Sequence, residues 1–408
     1  MRICDLTTLY IDGAESGVNT YLHEKARFLA RRREGARHVA IVPGRANSRE
    51  RLFDTTVYTL KSVRAPGKPD HRILTDFSRI REILRAESPD IVETDCVYYL
   101  GRVARGALPD VPLVGFYHVH LPTFIARPSV LRFGKSAAAA IERMAWRYVR
   151  FCTRPLDRVL VSSRDIESRL VREGFNRIDY VPLGVNLDLF RSRANGNGNH
   201  GNGRHAGDPV VILHVGRLSP EKNQRDLIDA FRILSRRGDY RLQIVGDGPA
   251  RGDLESRAAG DDRIAFLGTR PYAQDMPRLY ASADLLAQPS PNETFSLTIL
   301  EAIASGLPVV AVGQGGPVDL VTPERGELAR PGDPHDLAAK IEKVASRRSL
   351  CFSSRVHVPA RSWDETFDRL LAVYDSVLAA RRGSVRRPGG VRAAGRTSRP
   401  EPVSAGRA

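Results

Sequence analysis

The stretch "DLLAQPSPNETFSLTILEAIASGLPVVAVG", Asp284 to Gly313, decides the fold. It reads as a short apolar strand, a turn at Pro291 and Asn292, a helix, and a second apolar strand. The helix is expected to begin near Phe295 or Ser296 and to end at Gly306, a natural C-cap. Two glutamates, Glu293 and Glu301, sit eight residues apart in this apolar passage. A carboxylate among Leu297, Ile299, Leu300, Ile303 and Leu307 is costly to bury without a partner. Glu293 falls in the loop at the strand end, just before the helix. Glu301 follows about two turns on, at roughly 100° per residue, so it can face the same cleft. Hydrogen bonds accepted from sugar hydroxyls would account for both. The alternative gives Glu293 the helix dipole as its partner and Glu301 a structural ion pair.

The same alternation extends outward in both directions. Strand-like runs "MRICDL", "HVAIVP", "DIVET", "VPLVGFY" and "RVLVSS" alternate with helical stretches such as "VNTYLHEKARFLARRR" and "RILTDFSRIREILRAE". It restarts at "VVILHVG" and continues through "RLQIVGDGP" and "RIAFLG". Short, nearly all-apolar strands between helices argue for α/β architecture with parallel sheets covered on both faces. At 408 residues, two domains are the default. We place them at 1–183 and 209–361. Between them, 184–208 contains the Gly/Asn-rich "RANGNGNHGNGRHAG", read as a linker or surface insertion. An amphipathic helix at 362–381 carries Phe367, Leu370, Leu371, Tyr374 and Val377 and is expected to cross back to the first domain. A basic tail, 382–408, is low in hydrophobics and expected to be disordered.

The net charge is +16, of which the residues from Arg381 onward supply +7, from eight Arg against one Glu. The remaining +9 could meet nucleic acid, an anionic membrane surface or phosphorylated substrates, or could simply reflect an arginine-rich proteome. No apolar run is long enough for a membrane-spanning helix, and the first residues lack the pattern of a signal peptide. Cys4, Cys96, Cys152 and Cys351 are scattered without metal-ligand spacing, which suits a reducing cytoplasm, and no metal site is expected.

In open parallel sheets, ligands bind beyond the carboxyl ends of the strands. "HVGRLSPEKN" follows the first strand of the second half; Gly216 permits a tight turn, and Arg217 and Lys222 enter a helix together, a candidate diphosphate site. "IVGDGP" places Gly246 and Gly248 at a second strand end, where glycine lets the backbone approach a ligand. In the first half, Gly17 marks a loop-to-helix turn, and "VGFYHVHLPTF" sets His118 and His120 just past a strand. Surface-loop and core readings of each remain open at this level.

Taken together, "HVGRLSPEKN", "IVGDGP" and "ETFSLTILEAIASGLPVVA" resemble retaining glycosyltransferase family 4, enzymes of the B-type fold with two facing Rossmann-like domains and a cleft between them. The likeness covers the chain to about residue 380, and the last string matches the family's two glutamates separated by seven residues. It implies that Arg217 and Lys222 hold the donor diphosphate and, with His118 and Glu293, form the catalytic group. Glu301 would bind the ribose, and Glu293 the transferred sugar. Backbone groups of Gly216, Gly246, Thr294, Phe295 and Ser296 would line the donor, and Gly17 would approach the diphosphate from the opposite domain. Asn19 and His120 would face the acceptor. Two departures stand out: Ser16-Gly17 where the family often has two glycines, and "GVN" (Gly184 to Asn186) where it has "GVD".

The resemblance further implies transfer of a mannose- or glucose-type hexosyl group from GDP- or UDP-hexose to a lipid or glycan hydroxyl, with retention, without metal or other cofactor. No Asp-x-Asp string, the usual metal-diphosphate device, is present. "YHVHLPTF" and the tract after it are similar to mannosyl-lipid and sulfolipid-synthase-like members. Following it, Arg132, Lys135, Arg143, Arg147 and Arg150 lie among apolar residues, so the expected location is cytoplasmic with possible contact to an anionic inner membrane face. The donor base would be read around "FLGTRPY", Phe266 to Tyr272. Competing readings are an epimerase or phosphorylase of the same fold, and a basic nucleic-acid-binding protein; no nucleic-acid module is recognised, so no nucleic-acid partner is expected.

Overall fold

The computed structural model describes residues 1–11, 16–32, 35–65, 68–95, 98–191, 207–347 and 360–385. The first sheet contains β1 (Arg2–Leu6), β2 (Arg37–Gly44), β3 (Ser48–Leu52), β4 (Thr55–Lys61), β7 (Ile91–Asp95), β8 (Leu113–Phe116), β9 (Arg158–Val161) and β10 (Ile178–Tyr180). A small hairpin, β5 (Val63–Ala65) and β6 (Lys68–Ile73), lies outside it. The order is β10-β9-β8-β7-β1-β2-β4-β3, parallel except for the edge strand β3. The second sheet contains β11 (Val210–Val215), β12 (Tyr240–Val245), β13 (Ile264–Gly268), β14 (Leu285–Gln288), β15 (Val309–Val312) and β16 (Gly326–Ala329). Its order is β13-β12-β11-β14-β15-β16, parallel throughout.

Both orders reverse beside the first strand of their unit, between β1 and β7 and between β11 and β14. Such a switch point leaves a crevice at the carboxyl ends, because the crossover helices on either side pack on opposite faces. These are two Rossmann-like domains. The central strands are apolar because helices cover both faces; every residue of β7, β14 and β15 is buried. The hairpins between β3 and β6 were not read from the sequence. β3, Ser-Arg-Glu-Arg-Leu, is largely exposed and carries no apolar run to betray it.

The opening stretch folds close to expectation. Its helix is Leu297–Ala304, shorter by about one residue at the start, and Gly306 follows it at φ 72°. Leu307 donates to the carbonyl of Ala302 and Gly306 to that of Ile303, a Schellman closure that only a left-handed residue permits.

Toward the carboxyl end, the helix Trp363–Val385 lies against the helix Gly17–Arg32 of the first domain. Phe367 contacts Phe28 with ring centroids 5.4 Å apart, and Asp364 pairs with Arg31 and Arg32 at 3.0 and 2.9 Å. The chain therefore crosses between domains twice, and the crossings run side by side. Val185 bridges Ser362, and a Cβ on Gly184 would stand 2.3 Å from the carbonyl oxygen of Ser362. After the first crossing, Phe190 already packs on Tyr272 and Tyr280 of the second domain, at 5.8 and 5.7 Å. The Gly/Asn-rich residues 192–206 lie outside the described residues, as does the tail beyond 385. The residues flanking that stretch, Phe190 and Val210, both belong to the second domain, so the passage between domains is made at Gly184–Asn186 instead.

Candidate functional site

The second domain's site grows from its strand ends. After β11 the chain turns through Gly216 and Arg217 into a short 3-10 turn, Pro220–Lys222, and Asn223 at φ 56° starts the helix Gln224–Leu234. Gln224 donates to the carbonyl of Arg217 at 2.8 Å, and its amide nitrogen lies 3.3 Å from Nε2 of His214. The other ring nitrogen, Nδ1, is 3.0 Å from the carbonyl of Ala287. Burial lowers the His214 pKa to about 4, so it is a neutral strut under the turn.

Gly246 and Gly248 answer to a different neighbour than expected. At φ 128° and 156°, their missing Cβ atoms would stand 2.0 Å from the carbonyl oxygen of Gly216 and 2.3 Å from that of Leu218. What approaches these glycines is the Arg217 turn itself. Backbone bonds from Gly216 to Val245 and from Leu218 to Asp247, both 3.0 Å, zip the two loops together. By contrast, a Cβ on Gly216 would make only an ordinary contact, 3.7 Å from the His214 ring, with no backbone pressing on it.

Glu293 sits in the loop after β14, and its Oε1 accepts from Lys222 Nζ at 2.6 Å. Its backbone is cradled by a loop that the sequence analysis missed. Gly316 donates to the Glu293 carbonyl at 2.9 Å, and a Cβ on Gly315 would stand 2.0 Å from that same oxygen. A Cβ on Gly316 would press on Cα of Phe295 at 2.3 Å. The signal was present as "GQGG" just past the strand "VVAV". Phe295 is buried, and Ser296 adopts φ 81°, ψ 87°, a left-handed conformation that costs about 1–3 kcal/mol in a residue other than glycine.

Glu301 is 4% exposed and has partners of another kind. Tyr272 donates to its Oε1 at 2.6 Å and Tyr280 to its Oε2 at 2.8 Å. The two glutamates thus divide the cost of burial: a cation serves the one in the loop, two phenols the one in the helix. Tyr272 closes the "FLGTRPY" string, but neither tyrosine was expected to touch Glu301.

In the first domain, His118 follows β8. Its ring stacks on Phe116 at 4.4 Å and 7°, and meets the edge of Tyr21 at 5.4 Å. Burial, reinforced by the charge of Lys25, lowers its pKa to about 3, so it works as a neutral imidazole. The His118 carbonyl accepts from Thr294 Oγ1 of the second domain at 2.7 Å, and Ser162 Oγ donates to the Thr294 carbonyl at 3.5 Å. Asp319 accepts from the backbone of Arg164, a further bond between domains. The loop bearing Glu293 and the turn bearing His118 are therefore joined. Gly17 begins its helix, and a Cβ there would lie 3.6 Å from Leu297 Cδ1, across the cleft.

The two residues expected at the acceptor side have partners within the first domain. The Asn19 amide is engaged at both ends: Oδ1 accepts from Ile11 N at 3.0 Å and from Ser16 Oγ at 2.7 Å, and Nδ2 donates to the Ile11 carbonyl at 2.7 Å. It clamps the loop. His120 lies 3.1 Å from the Tyr117 hydroxyl and packs edge-on to Trp146, with its pKa lowered to about 4, first by burial and then by Arg169. That is first-domain packing.

The sequence analysis missed a buried polar cluster beneath His118. Lys25 Nζ, 1% exposed, donates to Asp5 Oδ1 at 2.6 Å and lies 3.4 Å from Glu93 Oε1. Asp5 Oδ2 also meets His38 at 3.0 Å. Burial pushes the Asp95 carboxyl up to about 7, against hydrogen bonds from Thr8 and Thr7. Asp5, Thr7, Tyr21, Asp95 and His118 line a small cavity at the β1–β7 switch point. Charged residues inside "RICDL" and "DIVETD" were the available signal. Among the described residues, no group of three or more metal-ligating side chains forms.

The comparisons with known proteins agree with this geometry. Residues 16–189 match the model described as Glycosyltransferase Family 4, and residues 209–347 that described as Glycosyl transferases group 1. A GDP-mannose-dependent alpha-mannosyltransferase of Mycobacterium tuberculosis is 33% identical over 74% of this chain and 77% of its own. A GDP-mannose-dependent alpha-(1-6)-phosphatidylinositol dimannoside mannosyltransferase of the same species is 29% identical over 84% and 88%. In fold, the chain is similar to sucrose-phosphate synthase from Thermosynechococcus elongatus, with a TM-score of 0.66, 18% identity and coverage of 95% and 98%. With both halves matched in order and both switch points furnished as described, the chain belongs to glycosyltransferase family 4, enzymes of the B-type fold.

Proposed function

We propose that this glycosyltransferase moves a mannose- or glucose-type hexosyl group from GDP- or UDP-hexose to a hydroxyl of a lipid or glycan, with retention and without a metal. The observation that carries this reading is the Lys222–Glu293 pair at the β11–β14 switch point, beside the Gly216–Arg217 turn. There, Lys222 and Arg217 would hold the diphosphate and stabilise the charge that develops on it. Glu293 would accept from hydroxyls of the transferred sugar, and Glu301 from the ribose. The bond from the anomeric carbon to the phosphate oxygen breaks, and its electron pair leaves with the nucleoside diphosphate. The acceptor oxygen bonds to the same face of that carbon, and its proton passes to the departing phosphate oxygen. His118, neutral and tied through its carbonyl to Thr294, would sit beside the reacting sugar. The mycobacterial relatives, named as GDP-mannose-dependent and, for one of them, as acting on phosphatidylinositol dimannoside, favour GDP-mannose as donor and a lipid-linked acceptor.

The test is nucleotide release across a panel of GDP- and UDP-sugars in chelator-treated buffer, for wild type, Arg217→Ala and Glu293→Ala. One preferred donor, with release lost in both variants, is expected. No release from any donor, together with no nucleotide binding by calorimetry, would overturn the assignment of the site.

Membrane contact is supported by the helix Leu121–Thr153, which kinks at Gly134. The side chains of Arg132 and Lys135 lie outside the described ones. Beyond the kink, Met144, Tyr148 and Phe151 are exposed at helical spacing, while Ala145, Trp146, Val149 and Cys152 are buried. The Arg102 guanidinium lies 4.1 Å from the Phe151 ring, and Arg143, Arg147 and Arg150 are exposed alongside. An apolar stripe flanked by cations suits an anionic interface. Among the described residues, no helix is long and apolar enough to cross a membrane. The protein should sediment with phosphatidylglycerol vesicles at low salt, and Phe151→Asp should weaken this; no sedimentation of wild type would sink the idea.

A further inference from the structure

We propose that Tyr374, on the carboxy-terminal helix, is a positioning residue for His118. The inference rests on the reading that His118 lies beside the reacting sugar. Tyr374 belongs to a segment remote from both strand-end sites, yet it is fully buried, and its hydroxyl enters the cluster beneath that histidine. It donates to Glu93 Oε2 at 2.5 Å and accepts from Lys25 Nζ at 2.9 Å. The other Glu93 oxygen, Oε1, accepts from the Tyr21 hydroxyl at 2.9 Å. One carboxylate is thus held between two phenols, one from each of the helices that pack together there.

Tyr21 carries the effect to the imidazole. Its ring meets the edge of His118 and also of Phe116, at 5.4 and 5.3 Å, and Phe116 is the surface on which His118 lies flat. On the other side, Phe367 and Trp363 of the carboxy-terminal helix approach Tyr21 at 5.6 and 6.4 Å. The plane of the His118 ring is therefore set by Phe116 and Tyr21. The place of Tyr21 is set by Glu93 and by the carboxy-terminal helix. Without the Tyr374 hydroxyl, Glu93 Oε2 and Lys25 each lose a buried partner. Glu93 Oε1 already lies 3.4 Å from Lys25 Nζ. The carboxylate then relaxes toward the ammonium and away from the Tyr21 hydroxyl, and Tyr21 loses its anchor. Displacements of the order of 1 Å at a reacting group cost up to about 100-fold in rate.

Tyr374→Phe removes the hydroxyl and keeps the ring packing. The experiment measures nucleotide release from GDP-mannose and from UDP-glucose at saturating donor, with calorimetric Kd for GDP and UDP, on wild type, Tyr374→Phe, Tyr21→Phe and His118→Ala. A fall in kcat of about 10- to 100-fold in Tyr374→Phe, with nucleotide Kd unchanged within about twofold, is the expected result. Tyr21→Phe should fall similarly, and the double variant should fall no further than either alone, because both act through one carboxylate. His118→Ala should lose at least as much. If His118→Ala is inactive while Tyr374→Phe keeps its kcat, the positioning role is overturned and the reading of His118 stands. If His118→Ala keeps its kcat, that reading fails, and the inference with it. Lower thermal stability with no change in kcat would mark Tyr374 as merely structural and would also overturn the proposal. Should Tyr374→Phe not fold, Tyr21→Phe decides the same question.

Discussion

Lys222→Met should lower kcat for nucleotide release by about 10²–10³-fold while leaving the protein folded. Methionine keeps most of the apolar stem of lysine and deletes the ammonium, its charge and its hydrogen bond to Glu293. The side chains of Lys222 and Glu293 are 29% and 10% exposed, so water reaches the ammonium more than the carboxylate, and losing the ammonium costs about 1–3 kcal/mol, less than at a fully buried pair. A cation fixed where charge develops acts in the transition state far more than in the resting protein. Its position is prepared by the 3-10 turn, by Glu293 and by the glycine cradle beneath Glu293. Activity and stability should therefore separate: a large kcat loss beside a modest shift in thermal midpoint. A loss below about fivefold would show that the diphosphate is held elsewhere.

Lys25→Met should do the reverse, striking stability first. Burial works to raise the Asp5 pKa, yet Lys25 and His38 together bring it down to about 2. Because the folded value lies below the ordinary 3.8, this contribution to stability is complete above that pH and is lost as the pH falls toward 2. Deleting the ammonium leaves Asp5 to His38 and strands Glu93 beside two phenols. Breaking a buried pair from one side costs about 3–5 kcal/mol, a large share of the roughly 5–15 kcal/mol that holds a domain together. A correspondingly lower urea midpoint is expected at neutral pH. Adding Glu93→Gln should recover part of it by removing the uncompensated charge. A loss under about 1 kcal/mol would mean that the cluster is already neutral.

Local patterns made much of this molecule legible. The apolar strands and their alternation with helices announce two parallel sheets, and Gly306 announces the helix end, because these depend on neighbours in sequence. The two misplaced glutamates drew notice for the same reason. Their partners did not, since Lys222 lies 71 positions from Glu293, and Tyr272 lies 29 from Glu301. Lys25 and Tyr374 are 349 positions apart, and each alone looks like an ordinary helical residue. Gly246 was expected to let a ligand approach, and the Gly216 carbonyl lies against it, because a φ requirement does not say what presses on the backbone. The left-handed Ser296 gave no sign in the sequence.

The paired crossing at Gly184 and Ser362 bears on how this chain tolerates change over evolutionary time. Since the domains are joined by these two adjacent passages, the number of residues between Arg191 and Val210 has no say in how far apart the domains stand. Lengthening such a stretch costs only about 0.6 kcal/mol for each doubling. One added methyl group at Gly184, by contrast, would stand 2.3 Å from the Ser362 carbonyl oxygen and force the two passages apart.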